Sequence, residues 1–246
     1  MQKQRKTANK TTSEMILTSL REQIINGSLA PQEKLVEADL AQQFGTSRGP
    51  VRDALRQLAM EGLVDYEPNK GCSVALLSPE DAYEVFFMRG NLEKLAIQKS
   101  NCHISDYSLM IMETSIEEFK NALASNNLMQ AVDADEKFHQ QIIRSAQINR
   151  LTKMWELLSP LNGAMFLFVQ SANRFGSMIS DAETLNKVDA IQAHERLLDA
   201  IQHNDLERAC AELDRHYEKT GKRVYRLALL KEQVDRQRRL ARAGHA

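Results

Sequence analysis

The chain is short of the residues that break a helix or staple a fold. Its 246 residues include 5 prolines, 10 glycines, 3 cysteines and one tryptophan, with aromatics at 6%. So little Gly and Pro, beside abundant Leu, Ala, Glu, Gln and Lys, disfavours a turn-rich β architecture and favours helix. Cys72, Cys102 and Cys210 are odd in number and form no CxxC pair. That excludes a disulfide framework and leads us to expect reduced thiols in a cytoplasmic protein. No apolar run approaches the roughly 18 residues of a membrane span, and the short stretch Ala164 to Val169 reads as core. The segment Met1 to Lys10 lacks the apolar centre of a secretory signal and reads as a mobile arm. Neither sign of charge dominates: 32 Lys and Arg against 33 Asp and Glu leave a net charge of -1. A protein that coats nucleic acid indiscriminately is thereby disfavoured, whereas a sequence-specific binder needs only a locally positive face.

What is present falls into two parts, with a seam at Leu77-Ser78-Pro79. A length of 246 residues has room for two modest domains, each with its own core. Residues 11–77 show short helical segments followed by alternation around a glycine. Thr11 with Glu14 has capping-box spacing and opens a helix through Ile16, Leu20 and Ile24, ending at Asn26-Gly27. From 78 to 234 helical periodicity dominates. Ser78-Pro79-Glu80-Asp81 supplies a cap, a first-turn proline and two acids at the positive end of the dipole, predicting a helix to about Lys99. Further helices are expected over Ser105–Ser125, Leu128–Ala146, Asn149–Phe175 with an interruption or kink at Pro160, Ala182–Gln202 and Asp205–Val234. The stretch 235–246 is basic, poor in apolar residues and expected to fray. The expected fold is mainly α, a winged helix-turn-helix with a small β-wing followed by an all-α bundle.

The richest stretch lies between Gly27 and Val74. Val36 to Phe44 reads as a short helix burying Leu40, Ala41 and Phe44, and Gly45 permits the left-handed turn that reverses the chain. Ser47 is placed to cap a second helix that tolerates Pro50 in its first turn and buries Val51, Ala54, Leu55 and Leu58. Arg48, Arg52 and Arg56 then share one exposed stripe at i, i+4 and i+8, which suits a recognition helix in the major groove. Two short strands between Leu63 and Leu76 flank a turn at Asn69-Lys70-Gly71, a wing whose Lys70 and Gly71 can approach a phosphate or the minor groove.

This run resembles the GntR-type winged helix in Leu40-Ala41, in Phe44-Gly45-Thr46-Ser47-Arg48-Gly49-Pro50-Val51-Arg52-Asp53-Ala54-Leu55, in Glu61-Gly62-Leu63-Val64 and in Lys70-Gly71. The resemblance implies double-stranded DNA as partner, read as a near-palindromic operator by a homodimer. It also implies operator contacts from Arg48 and Arg52 and a wing tip at Gly71; Ser47, Gly49 and Arg56 on the same helix and Lys70 beside Gly71 complete the candidate DNA-contacting set. Some members carry a base-reading arginine where this chain has Ala38, so their operator preference does not transfer.

In the second part Asp135 and His139 stand four apart on one helix face, and His194 and His216 lie inside later helices. One carboxylate and three imidazoles from three helices can surround a divalent ion, although single helical histidines are commonly hydrogen-bonded core or surface residues. The region from about Ser78 to Leu230 resembles the FCD ligand domain of the FadR branch. That resemblance implies that Asp135, His139, His194 and His216 are metal ligands. Zinc is the expected ion, with nickel or manganese compatible. It further implies a small carboxylate effector at the metal, gripped by Arg89, an arginine that also stands at i+4 spacing from Glu93. Arg144 and Arg174 are weaker candidates. The Met165-Phe166-Leu167-Phe168-Val169 cluster suggests an apolar effector less than it suggests core packing. A metal-dependent hydrolase fused to a DNA reader, and a regulator with a purely structural metal, are the alternatives.

Overall fold

The computed structural model describes residues 11–67, 71–76, 78–172 and 187–243, and divides between Leu76 and Leu77 into two compact units. The arm at Met1 to Lys10, Lys70, Arg174 and the helix start read at Ala182 lie outside the described residues.

In the first unit, α1 (Thr12–Ile25) begins at a complete Thr11/Glu14 capping box and buries Ile16 and Leu20. It packs on α3 (Arg48–Met60), which α2 (Glu37–Gln43) also flanks. The core is Ile16, Leu20, Leu35, Leu40, Val51, Ala54, Leu55, Leu58, Leu63, Val64 and Val74, each buried Leu, Ile or Val contributing roughly 1.5–3 kcal/mol. Arg21 of α1 grips the buried Glu61 through Nε (3.0 Å) and Nη2 (2.7 Å), tying the start of the unit to the end of α3. The wing strands β2 (Val64–Glu67) and β3 (Gly71–Val74) pair antiparallel, Val64 opposite Val74 and Glu67 opposite Gly71. The sequence pattern predicts only these two strands. A third, β1 (Lys34–Leu35), pairs with β3 to give the order β1-β3-β2; two residues are too few to show alternation. Gly71 has φ +95°, a conformation that favours glycine.

The second unit contains, among the described residues, α4 (Pro79–Ser100), α5 (Asp106–Ala124), α6 (Leu128–Ser145), α7 (Asn149–Ala172), α8 (Lys187–Gln202) and α9 (Leu206–Ala243). Ser78 and Asp81 form the capping box of α4. The core joins Phe86, Ile97, Phe138, Ile142, Trp155, Leu197, Ile201 and Leu213 from α4, α6, α7, α8 and α9. Helices α4 and α9 approach closely at Gly90, where an added Cβ would stand 3.0 Å from the Cβ and Cγ of Tyr217.

Of the interruption or kink expected at Pro160, the interruption does not occur, α7 being continuous around it; the missing N–H removes a single ladder bond, a loss that packing can offset. Nor does the last helix end at Val234, since α9 continues to Ala243. The stretch is poor in apolar residues, but Gln, Arg, Leu and Ala are good helix formers and no breaker precedes Gly244.

Candidate metal centre and DNA-contacting face

On α3, Arg48, Arg52 and Arg56 are all exposed, as are Ser47 and Gly49 before and among them. Ser47 occupies the N-cap position with extended backbone, yet its side chain makes no capping hydrogen bond. Part of the reason is local: the N3 residue is Pro50, which has no N–H to offer, leaving Gly49 at N2 as the remaining donor. The hydroxyl of Ser47 and the backbone N–H groups of the first turn are left for another partner. An added Cβ at Gly49 would meet only Ser47 Oγ, at 4.0 Å, so crowding within the protein does not require glycine there. Arg52 is held by Glu37 of α2, Nε to Oε1 at 3.0 Å and Nη2 to Oε2 at 2.8 Å, a bond that the spacing on α3 alone could not reveal.

In the second unit α6 supplies Asp135 and His139, α8 supplies His194 and α9 supplies His216. One donor atom from each lies within 4.8 Å of the others. The three imidazole centroids are 5.2, 5.0 and 5.0 Å apart. Asp135 Oδ1 is 3.1 Å from His194 Nε2 and 3.8 Å from His139 Nε2. Donors about 2.0–2.1 Å from a shared ion stand roughly 3–4 Å apart; both Asp135 distances lie in that range, and the set as a whole, within 4.8 Å, could close on a divalent ion.

The outer nitrogens of two rings are already committed. His139 donates from Nδ1 to Glu93 Oε2 (2.6 Å), and His194 donates from Nδ1 to the Ala190 carbonyl (2.8 Å). A carboxylate and a carbonyl accept only, so Nε2 is the atom left to act as ligand in both rings, the arrangement that orients metal-binding histidines. His139 Nε2 is buried with no hydrogen-bond partner. Electrostatics favours the ligand forms at two positions. Burial works against an ionised Asp135, but the neighbouring His139 and His194 hold its carboxyl well below the ordinary range. Burial, reinforced by His194 and His139, pushes His216 well below its usual value and keeps it neutral. Burial also lowers His139, yet Glu93 and Asp135 outweigh it and leave that ring more basic than usual.

Residues beyond the four were not legible as part of this centre. Glu93 is fully buried, and besides His139 it accepts from Trp155 Nε1 (2.8 Å) and the Tyr217 hydroxyl (2.5 Å). Spacing leaves Arg89 free to pair with Glu93, but its ion pair is instead with Glu136, Nη1 to Oε1 at 2.9 Å. Arg89 also donates to Ser159 (3.2 Å) and stacks its guanidinium 4.2 Å over Trp155. It is 0% exposed, and its Nε and Nη2 have no partner. Arg144 is exposed. Were His139 a metal ligand, Glu93 would fix its ring, and Glu93→Gln is then expected to lower divalent-metal affinity about 10- to 100-fold with the fold retained, measured by competition with a chromophoric chelator. Unchanged affinity would remove Glu93 from the centre.

A cavity of about 80 Å³ opens beside the cluster, touching Asp135, His194, His216 and Asn162. Arg196, Arg215, Lys219 and Arg223 also line it. Asp189 pairs with Lys219, and Glu212 pairs with both Arg196 and Arg215.

A winged helix with an arginine face, followed in the same chain by an all-helical domain, defines a DNA-binding transcription regulator. Residues 12–74 match the bacterial regulatory proteins of the gntR family, and residues 84–219 match the FCD domain. The chain belongs to the GntR family, in the group whose helix-turn-helix precedes an FCD domain. It is 27% identical over 199 residues to the HTH-type transcriptional regulator YdhC of Bacillus subtilis, covering 80% of this chain and 84% of that one. It is 28% identical over 211 residues to the HTH-type transcriptional repressor GlaR of Escherichia coli, covering 80% and 88%. Escherichia coli McbR/YncC shares the fold with a TM-score of 0.70 at 20% identity, over 89% of this chain and 99% of that one. These relatives and both domains are regulatory, and the chain is not an enzyme; the hydrolase alternative is set aside. Among the described residues, no helix is long and apolar enough to cross a membrane.

Proposed function

We propose that this regulator binds a near-palindromic operator as a homodimer, and that a small carboxylate bound at a divalent metal in the helical domain controls its affinity. The observation that carries this reading is a set of buried nitrogens without partners, His139 Nε2 beside Asp135 and His194, and Arg89 Nε and Nη2. A buried donor or acceptor left unmade costs about 1–3 kcal/mol, more if charged, so such groups imply something that satisfies them. Asp135, His139, His194 and His216 would hold the ion, zinc being the expected one with nickel or manganese compatible. When bound, the ion supplies positive charge and open coordination positions for anionic oxygens. Arg89 offers a carboxylate two donors in a planar fork. Arg196, Arg215 and Lys219, though paired with Glu212 and Asp189, bring cationic groups to the cavity wall that an anion entering it would meet.

Coupling to DNA follows the chain. Helix α4 comes directly after the wing and carries both Arg89 and Glu93, so an effector that draws on Arg89 acts on the helix joined to the DNA reader. Operator affinity changes only as far as the effector binds the two states unequally. The repressor GlaR among the relatives supports repression as the mode of action. On the DNA side, Ser47, Arg48, Gly49, Arg52 and Arg56 form one exposed face, with Lys70 and Gly71 assigned to the wing. Arg48→Ala is expected to weaken operator binding roughly 10- to 100-fold, read by fluorescence anisotropy on the preferred duplex. Wild-type affinity in that variant would sink the assignment of α3 as the recognition helix.

A further inference from the structure

Arg52 is one of three exposed arginines on α3, and it alone of the three has a recorded acidic partner among the described residues. The partner, Glu37, opens α2 and is half-buried at the foot of a helix anchored by Leu40 and Ala41. The bond is two-pronged, with both carboxylate oxygens engaged and both Nε and Nη2 donating. A guanidinium has five N–H donors; this clamp uses two on one edge and leaves Nη1 and the second N–H of Nη2 without a recorded partner.

We propose that Glu37 is a positioning residue that makes Arg52 read a base rather than a phosphate, and so sets much of the regulator's discrimination between operator and other DNA. The inference rests on the reading of α3 as the recognition helix.

Two physical effects lead to it. An unclamped arginine on a mobile four-bond arm is attracted to any nearby phosphate, which confers affinity without sequence information. With Glu37 across its inner edge, Arg52 loses most of its net charge toward distant phosphates. It keeps an oriented pair of donors, the group that matches the O6 and N7 acceptors of guanine. Geometry adds to charge: the clamp removes rotamer freedom that Arg52 would otherwise lose on binding. The carboxylate also sits in the field of Arg48 and Arg56 as well as Arg52, and is held below its ordinary titration range, chiefly by the bond to Arg52.

The test uses the full chain. The preferred duplex is selected from a random library spanning about two helical turns, and its affinity is compared with that of a shuffled duplex of equal composition. Glu37→Gln keeps the side-chain shape but removes the charge. It is expected to lower the ratio of operator to shuffled affinity about tenfold, and to steepen the salt dependence on shuffled DNA by about one counterion. Glu37→Asp keeps the charge but is too short to hold both nitrogens. It is expected to lower the ratio without steepening the salt dependence. In an Arg52→Ala background, Glu37→Gln is expected to leave the ratio unchanged, because Glu37 acts through Arg52. A wild-type ratio in both Glu37 variants, or an equal loss with and without Arg52, overturns the proposal. Arg52→Ala with a wild-type ratio would instead overturn the recognition-helix reading itself. Unchanged melting temperatures in the Glu37 variants show that they are folded.

Discussion

Freshly purified full-length protein is expected to carry about one divalent ion per chain, and His216→Ala to lose it, as elemental analysis would read. The expectation starts from four donors on three helices within 4.8 Å. Two of the three rings are already turned by hydrogen bonds so that Nε2 faces the cluster. His216 is the informative position because it lines the cavity and is not among the fully buried residues, so its removal would take away a proposed donor more than a piece of core. The ion should also stabilise the fold, since the cluster exists only once α6, α8 and α9 are packed. At a free concentration a thousandfold above the dissociation constant the linkage amounts to about 4 kcal/mol. Chelation should therefore lower the melting temperature of the wild type and leave that of His216→Ala unmoved. If the wild type holds no metal and its melting temperature ignores added zinc, the four residues are only a buried hydrogen-bonded cluster. The DNA-binding assignment would survive that result. A metal that binds and stabilises, while no carboxylate alters operator affinity, would favour the structural-staple alternative instead.

Arg89→Met is expected to destabilise the protein by about 3–5 kcal/mol, the usual consequence of removing one partner of a buried ion pair. Methionine fills similar space over Trp155, but Glu136 loses the guanidinium that faces it and Ser159 loses a donor. The loss should appear as a drop in melting temperature on the order of 10 °C. Adding Glu136→Gln should recover part of it, because the stranded carboxylate goes too. Stability alone does not test the effector role, so Arg89→Lys is the companion. It keeps the charge but cannot present two parallel donors. It should stay folded and retain metal while its operator binding no longer responds to small carboxylates. A normal carboxylate response in a folded Arg89→Lys variant would remove Arg89 from the effector site, whatever happened to the melting temperature.

Local pattern carries much of this protein. Thr11 with Glu14, and Ser78 with Asp81, mark helix starts that the structure forms with both halves of the capping box in place. The apolar stripe of α3 faces the core at the spacing the sequence implies. The i, i+4 pair Asp135 and His139, with His194 and His216, comes together as spacing and resemblance suggest. The misses arise where one local signal competes with another. Ser47 has the right residue type for a cap, but Pro50 removes one of the two N–H groups it could bind, and no side-chain cap forms. Pro160 is a breaker by type, yet α7 continues through it. The stretch after Val234 looks like a tail by polarity, yet good helix formers extend α9 to Ala243.

By itself the sequence determined which segments are helices, where the winged reader gives way to the bundle, and which residue types could meet a metal or a DNA groove. Those properties depend on neighbours within a turn or two of the chain, where the 3.6-residue period acts directly. Only the tertiary structure decided the partners. Arg89 is paired with Glu136 rather than Glu93, and Glu93 is bonded to His139, Trp155 and Tyr217 from three other helices. Arg52 is clamped by Glu37 from a helix earlier in the chain. A buried charge takes whichever opposite charge or donor the packing of helices brings within about 3 Å, and that distance is set by the fold rather than by separation along the chain.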